Sequence, residues 1–285
     1  MYVATTSRAF GRHGRFAVTI ALGPALSAAM VHRRGLVYAS RFVPPLPRSR
    51  SRALLYVLLA GRLRVDGVVH AAPSAVLLDE DAFEGQGART AVDWVNVGEP
   101  LQAVELRFPR ARLRVAPGPS WRPPAELPAA AATAFDGEHG VWALEQALVD
   151  AGVLAARPSV PEPRTHRRLW SAVEPLARAF NLLGSLDELA AGAGVSSRHA
   201  SRDLGEFIRS VTVPFEGWRE STRRLRLKMA VMGLSAADLP ISELARGLGY
   251  GSVDAMSRAF RDAGQPSPTE VRARLRELGD ALAAR

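Results

Sequence analysis

The chain has 285 residues, no cysteine, and 37 basic residues against 28 acidic ones, a net charge of +9 at neutral pH. This length suits two domains, and the ordinary soluble balance, 47% apolar and 23% charged, argues against wholesale disorder. The absence of cysteine excludes disulfides, thiolate catalysis and cysteine metal ligands, while a pI near 11.0 points to an anionic partner, nucleic acid or a membrane surface. Lys228 is the only lysine. A G- and C-rich genome favours arginine in the same way, so the placement of the charges has to identify the partner.

Arg8, Arg12 and Arg15 precede an uncharged run from Phe16 to Val31, an order that imitates a signal peptide. Gly23-Pro24 interrupts the run, and proline interrupts a helix, so two strands are expected there. The run is also too short to span a bilayer as a helix. Short strands then follow at Leu54 to Leu59, Arg62 to Val65, Val68 to His70, Ser74 to Leu78, Ala91 to Val97 and Leu101 to Phe108. Asp66-Gly67 provides a tight hairpin turn between the second and third. In the last strand Val104, Leu106 and Phe108 share one face, and Glu105 and Arg107 the other. This spacing predicts a mainly-β sandwich or barrel, of jelly-roll type. Tyr38, Tyr56, Phe83 and Trp94 are read as core aromatics and not as the lining of a ligand cavity.

Prolines punctuate the middle of the chain. Pro117, Pro119, Pro123, Pro124 and Pro128 come before a helical stretch from about Gly140 to Leu154, and Pro158, Pro161 and Pro163 form a second extended segment. The expected organisation is a β-rich sensor or dimerisation domain over 1–120, a Pro-rich linker with a helix over 121–163, and an all-α domain over 164–285.

That last part contains two helix-turn-helix patterns. In the first, Ala190 supplies the small residue where two helices touch, and Gly194 the residue tolerant of positive φ in the turn. Ser196 can cap the next helix. Along that helix Ala200, Leu204, Phe207 and Ile208 make a buried stripe, and Arg198, Ser201, Arg202 and Gly205 the opposite face. Ala245 and Gly249 repeat the small residue and the turn glycine, Ser252 the cap, Met256 and Phe260 the inward face. Asp254, Ser257, Arg258 and Arg261 face outward. One such pattern is common by chance; two in register, each followed by Ser-Arg on its exposed face, are not. Between them Trp218 to Leu234 reads as a helix carrying Arg219, Arg223, Arg224, Arg226 and Lys228. Its length of about 25 Å suits a strut holding two recognition helices about 34 Å apart, in successive major grooves.

Residues from about 166 to 276 resemble the DNA-binding domain of the AraC/XylS family of bacterial transcription regulators. The motifs are Leu186-Asp187-Glu188-Leu189-Ala190, Val195-Ser196-Ser197-Arg198, Leu225-Arg226-Leu227-Lys228-Met229-Ala230, Ile241-Ser242-Glu243-Leu244-Ala245, Gly249-Tyr250, Ser257-Arg258-Ala259-Phe260 and Pro266-Ser267-Pro268-Thr269-Glu270-Val271-Arg272. The resemblance implies a cytoplasmic regulator that binds double-stranded promoter DNA and recruits or obstructs RNA polymerase. It also implies a cupin-like N-terminal domain that senses a small-molecule effector or mediates homodimerisation. Ala200, Leu204, Ala263 and Val271 are smaller than is usual in the family, each missing CH₂ removing about 0.8 kcal/mol of burial.

The expected DNA-binding residues are Ser197, Arg198, Ser201 and Arg202 in the first unit, and Ser252, Val253, Ser257 and Arg258 in the second. Asp254 can accept from a cytosine amine or favour its own helix dipole, and the second role is preferred. Two alternatives compete with a ligand-controlled regulator: an N-terminal domain that is purely a protein-interaction module, and a cupin-type metalloenzyme. His13, His32 and His70 are scattered, with no His-x-His pair, which disfavours a metal site. No Gly-rich phosphate loop precedes a helix. No catalytic residue, metal or cofactor is therefore assigned, and no membrane partner. About half of the positive excess lies before residue 164, so spacing and not net charge carries the DNA reading.

Overall fold

A computed structural model describes residues 1–43, 52–65, 67–79, 92–95, 100–118, 121–137, 139–157, 163–178, 184–211, 213 and 217–283. The expectations for Asp66, Phe83, Ala91, Pro119, Pro158 and Pro161 fall outside these residues, as does the side chain of Trp94.

Among the described residues ten strands come first: β1 (Tyr2–Phe10), β2 (Gly14–Gly23), β3 (Leu26–Arg34), β4 (Val37–Ala39), β5 (Arg52–Ala60), β6 (Arg62–Val65), β7 (Val68–Ala71), β8 (Ser74–Asp79), β9 (Val92–Val95) and β10 (Leu101–Pro109). They form a six-stranded sheet in the order β1-β2-β3-β10-β5-β8 and a four-stranded sheet in the order β4-β9-β6-β7. Every pairing is antiparallel. The run that imitates a signal peptide is the β2–β3 hairpin, turning at Pro24-Ala25, where Ala25 takes φ +57°. Gly67, at φ +81°, lies in the β6–β7 turn.

Helices follow: α1 (Leu127–Ala132), α2 (Gly140–Asp150), α3 (Arg164–Arg178), α4 (Leu186–Gly192), α5 (Ser197–Ser210), α6 (Trp218–Leu234), α7 (Ile241–Gly247), α8 (Val253–Asp262) and α9 (Pro268–Ala283). The pair α1 and α2 covers one face of the large sheet, where Val104, Leu106 and Phe108 meet Leu127, Leu144 and Leu148. Arg112 crosses from the sheet to α2 and pairs with the buried Glu145 at 2.6 Å.

The other face of the large sheet is equally buried. Glu105, on the face opposite Val104, Leu106 and Phe108, is only 4% exposed, and Arg107 pairs with it at 3.1 Å. What covers this face is the small sheet together with the second half of the helical region. Phe10, Phe16, Leu36, Val37 and Tyr38 share one apolar core with Met229, Val231, Phe260, Val271 and Leu275. Gly233, the late glycine of α6, is required by that packing: a Cβ there would lie 2.4 Å from Leu244 and 2.9 Å from Phe10. A separate core joins Tyr2 and Ala4 of β1 to Leu169, Trp170, Leu204 and Phe207. Tyr38 and Tyr56 are fully buried core residues.

Candidate nucleic-acid interface

Each helix-turn-helix forms from local chemistry. In the first unit, α4 opens with a capping box. The Ser185 hydroxyl accepts from the Glu188 N–H at 3.1 Å, and the Glu188 carboxylate accepts from the Ser185 N–H at 2.7 Å. Gly194 turns the chain at φ +64° and Ala190 is buried at the helix contact. Ser196 caps α5 by accepting from the His199 N–H. In the second unit Gly249 turns at φ +75°, Ala245 is buried, and Ser252 caps α8 by accepting from the Ala255 N–H at 3.0 Å. The two units thus repeat one construction.

The exposed faces differ in detail. Ala200, Leu204, Phe207 and Ile208 of α5 are buried, which leaves Arg198, Arg202 and Arg209 exposed along one stripe. Arg209 lengthens this stripe by a further two turns beyond the expected pair; its helical spacing was the available signal. Gly205 lies on the same stripe, and a Cβ there would meet nothing within 4 Å. Ser201 is exposed. Ser197 is half-buried and donates its hydroxyl to the Asp187 carboxylate of α4, so it ties the two helices together. The cap Ser252 and Val253, Asp254, Arg258 and Arg261 of α8 are exposed, while the Ser257 hydroxyl donates to the Val253 carbonyl at 2.9 Å. The charged residues of this face are therefore Asp254, Arg258 and Arg261.

The strut α6 has the expected bounds but a different environment. Arg219 and Arg223 are exposed, whereas Arg224 is buried. Arg226 stacks over the Tyr250 ring at 5.4 Å, and Lys228 lies over the Tyr38 ring of β4 at 5.4 Å. Burial pushes the Tyr250 phenol up to about 12. The basic cluster of α6 is thus divided: Arg219 and Arg223 face solvent, Arg226 packs on Tyr250 of the second unit, and Lys228 reaches β4. The reason is that α6 runs into the shared core, so its last two turns have no solvated side.

Further contacts bind the β domain to both units. The Ala25 N–H donates to the Ser210 carbonyl at the end of α5, and the Gln265 side chain donates to the Val43 carbonyl just after α8. The Arg12 N–H donates to Asp238 at 2.5 Å, Arg8 to the Gly247 carbonyl, and the Val37 N–H to the Ser235 hydroxyl at 3.0 Å. Among the described residues no group of three or more His, Asp or Glu is placed to hold a metal ion, and no helix is long and apolar enough to cross a membrane.

The fold defines a class: a two-sheet antiparallel β domain followed by a helical region with two helix-turn-helix units. No family model matches the sequence, and no curated protein does. Among solved structures, the chain is similar to ToxT from Vibrio cholerae strain SCE256 with a bound unsaturated fatty acid, at 11% identity and TM-score 0.37, over 85% of this chain and 94% of that one. It is similar to the AraC-like transcriptional activator CuxR at 14% identity and TM-score 0.27, over 75% of this chain and 80% of that one. A cupin domain of Schizosaccharomyces pombe Cnp3 matches 34% of this chain and 66% of its own, at 12% identity and TM-score 0.22. With TM-scores this far below 0.5, the functional reading rests on the motifs and the helix geometry.

Proposed function

We propose that the chain is a sequence-specific DNA-binding transcription regulator of the AraC/XylS family, reading promoter DNA with α5 and α8 in successive major grooves. The observation that carries this is the repeated construction: two units built in the same order, each with a glycine turn, a serine cap and an exposed arginine face. Arg198, Ser201 and Arg202 are the contact residues of the first unit, with Ser197 beside them at the helix start. Ser252, Val253, Ser257 and Arg258 are those of the second. RNA polymerase is the protein partner, and the cytoplasm is the place of action. Residues 1–120 form the sensor or dimerisation domain, 121–163 the connection and 164–285 the DNA-binding domain.

We further propose that a small-molecule effector or a second copy of the chain acts on the β domain. The core shared between that domain and α6 to α9 supports this, because a change in β4 or β10 alters the packing of the second unit. Genome-wide footprinting with the full chain tests the first proposal. Protected promoter sites sharing a bipartite motif are expected, with binding that weakens steeply as salt rises through counterion release. Absence of discrete sites, or a flat salt response, overturns it.

A further inference from the structure

Asp203 lies on α5 with its carboxylate only 4% exposed, immediately after the arginine expected to contact DNA. A buried carboxylate is costly unless it is paired. Asp203 is paired twice: Oδ2 accepts from Arg168 Nη2 of α3 at 2.9 Å, and Oδ1 lies 3.3 Å from Arg202 Nη2. Successive residues on a helix point about 100° apart, so Arg202 must bend back along the helix surface to reach its neighbour. Both arginine side chains stay substantially open to solvent, Arg168 at 48% and Arg202 at 63%.

The second unit has no counterpart. Ala259 follows Arg258 there, and Arg258 is exposed with no ion pair to a described residue. The units repeat in caps and turns but differ in this charge.

We infer that Asp203 is a positioning residue for specificity: it holds Arg202 in one orientation for a guanine edge, with Arg168 as the countercharge. The inference rests on the DNA-binding reading. A guanidinium already ordered by a carboxylate loses less side-chain freedom when it binds. Asp203 offsets part of the attraction of Arg202 for a phosphate, whereas it costs little at the neutral N7 and O6 acceptors of guanine. Arg202 therefore reads a base, while Arg258, with no such carboxylate beside it, is open to phosphate.

The test uses the full chain and the operator obtained from it by selection from random duplexes. Affinity is measured at several salt concentrations for that operator and for variants with each guanine of the first half-site replaced. Arg202→Ala should abolish discrimination at one guanine position. Asp203→Asn, which keeps the shape and removes the charge, should lower discrimination at that same position about tenfold. It should also tighten binding to non-operator duplex and steepen the salt dependence by about one counterion. In the double variant the Asn should change nothing further at that position. If Asp203→Asn leaves the unfolded state populated, Asp203→Asn with Arg168→Met removes both charges, and the same loss of discrimination is expected. Unchanged discrimination and salt slope in folded Asp203 variants overturn the positioning role. If the wild-type chain selects no operator, the DNA-binding reading itself fails.

Discussion

The Ala25 backbone N–H donates to the Ser210 carbonyl at 2.9 Å, so the β2–β3 turn closes the C-terminal end of α5. Just beyond α8 the bond runs the other way, the Gln265 side chain donating to the Val43 carbonyl at 3.3 Å. Helices α5 and α8 are thus both fastened to the β domain near their C-terminal ends, and their capped N-terminal ends are exposed. This arrangement lets one domain set the relative placement of α5 and α8.

Tyr2 is the aromatic anchor of the first unit on β1. Its ring lies 5.5 Å from Trp170 and 5.2 Å from Phe207, the latter edge-on. Tyr2→Ala should cost about 3 kcal/mol by cavity formation, measured by urea unfolding. Trp170 is buried against this ring, so its fluorescence should shift to the red in the folded variant.

The two helix caps provide an independent measurement. Ser196→Ala and Ser252→Ala should each cost about 1 kcal/mol, visible as lower denaturation midpoints. Glycine at either position should cost only a few tenths of that, because a glycine leaves the capping N–H open to water. Equal effects of Ala and Gly would show that the hydroxyls do not cap these helices.

Gly205 separates stability from function. Nothing in the protein stands within 4 Å of a Cβ built there, so Gly205→Ala should stabilise α5 by up to about 1 kcal/mol. The same methyl projects from the arginine stripe, where the backbone is open to close approach. Expected together are a higher melting temperature and weaker operator binding. A more stable variant with unchanged affinity would show that DNA does not approach α5 at Gly205.

The junction of the β domain with the second unit should loosen in acid. Burial pushes the Glu105 carboxyl up, but the charges of Arg107, Lys228 and Arg33 outweigh it and hold the group below its ordinary 4.5. The Arg12 N–H holds Asp238 below its ordinary value in the same way. Both folded values are depressed, so their contribution is complete above the unfolded carboxylate range. It disappears as pH falls through the folded values. Hydrogen exchange should show β4 and α6 losing protection as pH drops below about 4.5. Glu105→Gln should lower stability at neutral pH by about 3 kcal/mol, because buried cations lose their carboxylate, and should flatten the acid response.

The helix-turn-helix units were legible in the chain because every feature that makes them is local. A turn glycine, a serine cap and a buried stripe all act within a few residues of one another, and the bounds of α6 followed from the same kind of pattern. The strands were legible for the same reason, since alternation and the Gly-Pro break are short-range signals. Which faces these elements bury depends on partners far away in the chain. Alternation places Glu105 and Arg107 opposite the apolar stripe of β10, but only the small sheet and α6 decide that this face too is buried. The strut charges Arg224 and Lys228 are plain in the sequence, but only the tertiary structure shows that Arg224 is buried and that Lys228 lies over the Tyr38 ring of β4. Ser197 turned to Asp187, and Asp203, silent as a letter, acquired Arg168 from α3. Local propensity specifies an element and its ends; the contacts that decide where a charge points come from residues up to more than two hundred positions distant, as Arg12 and Asp238 are.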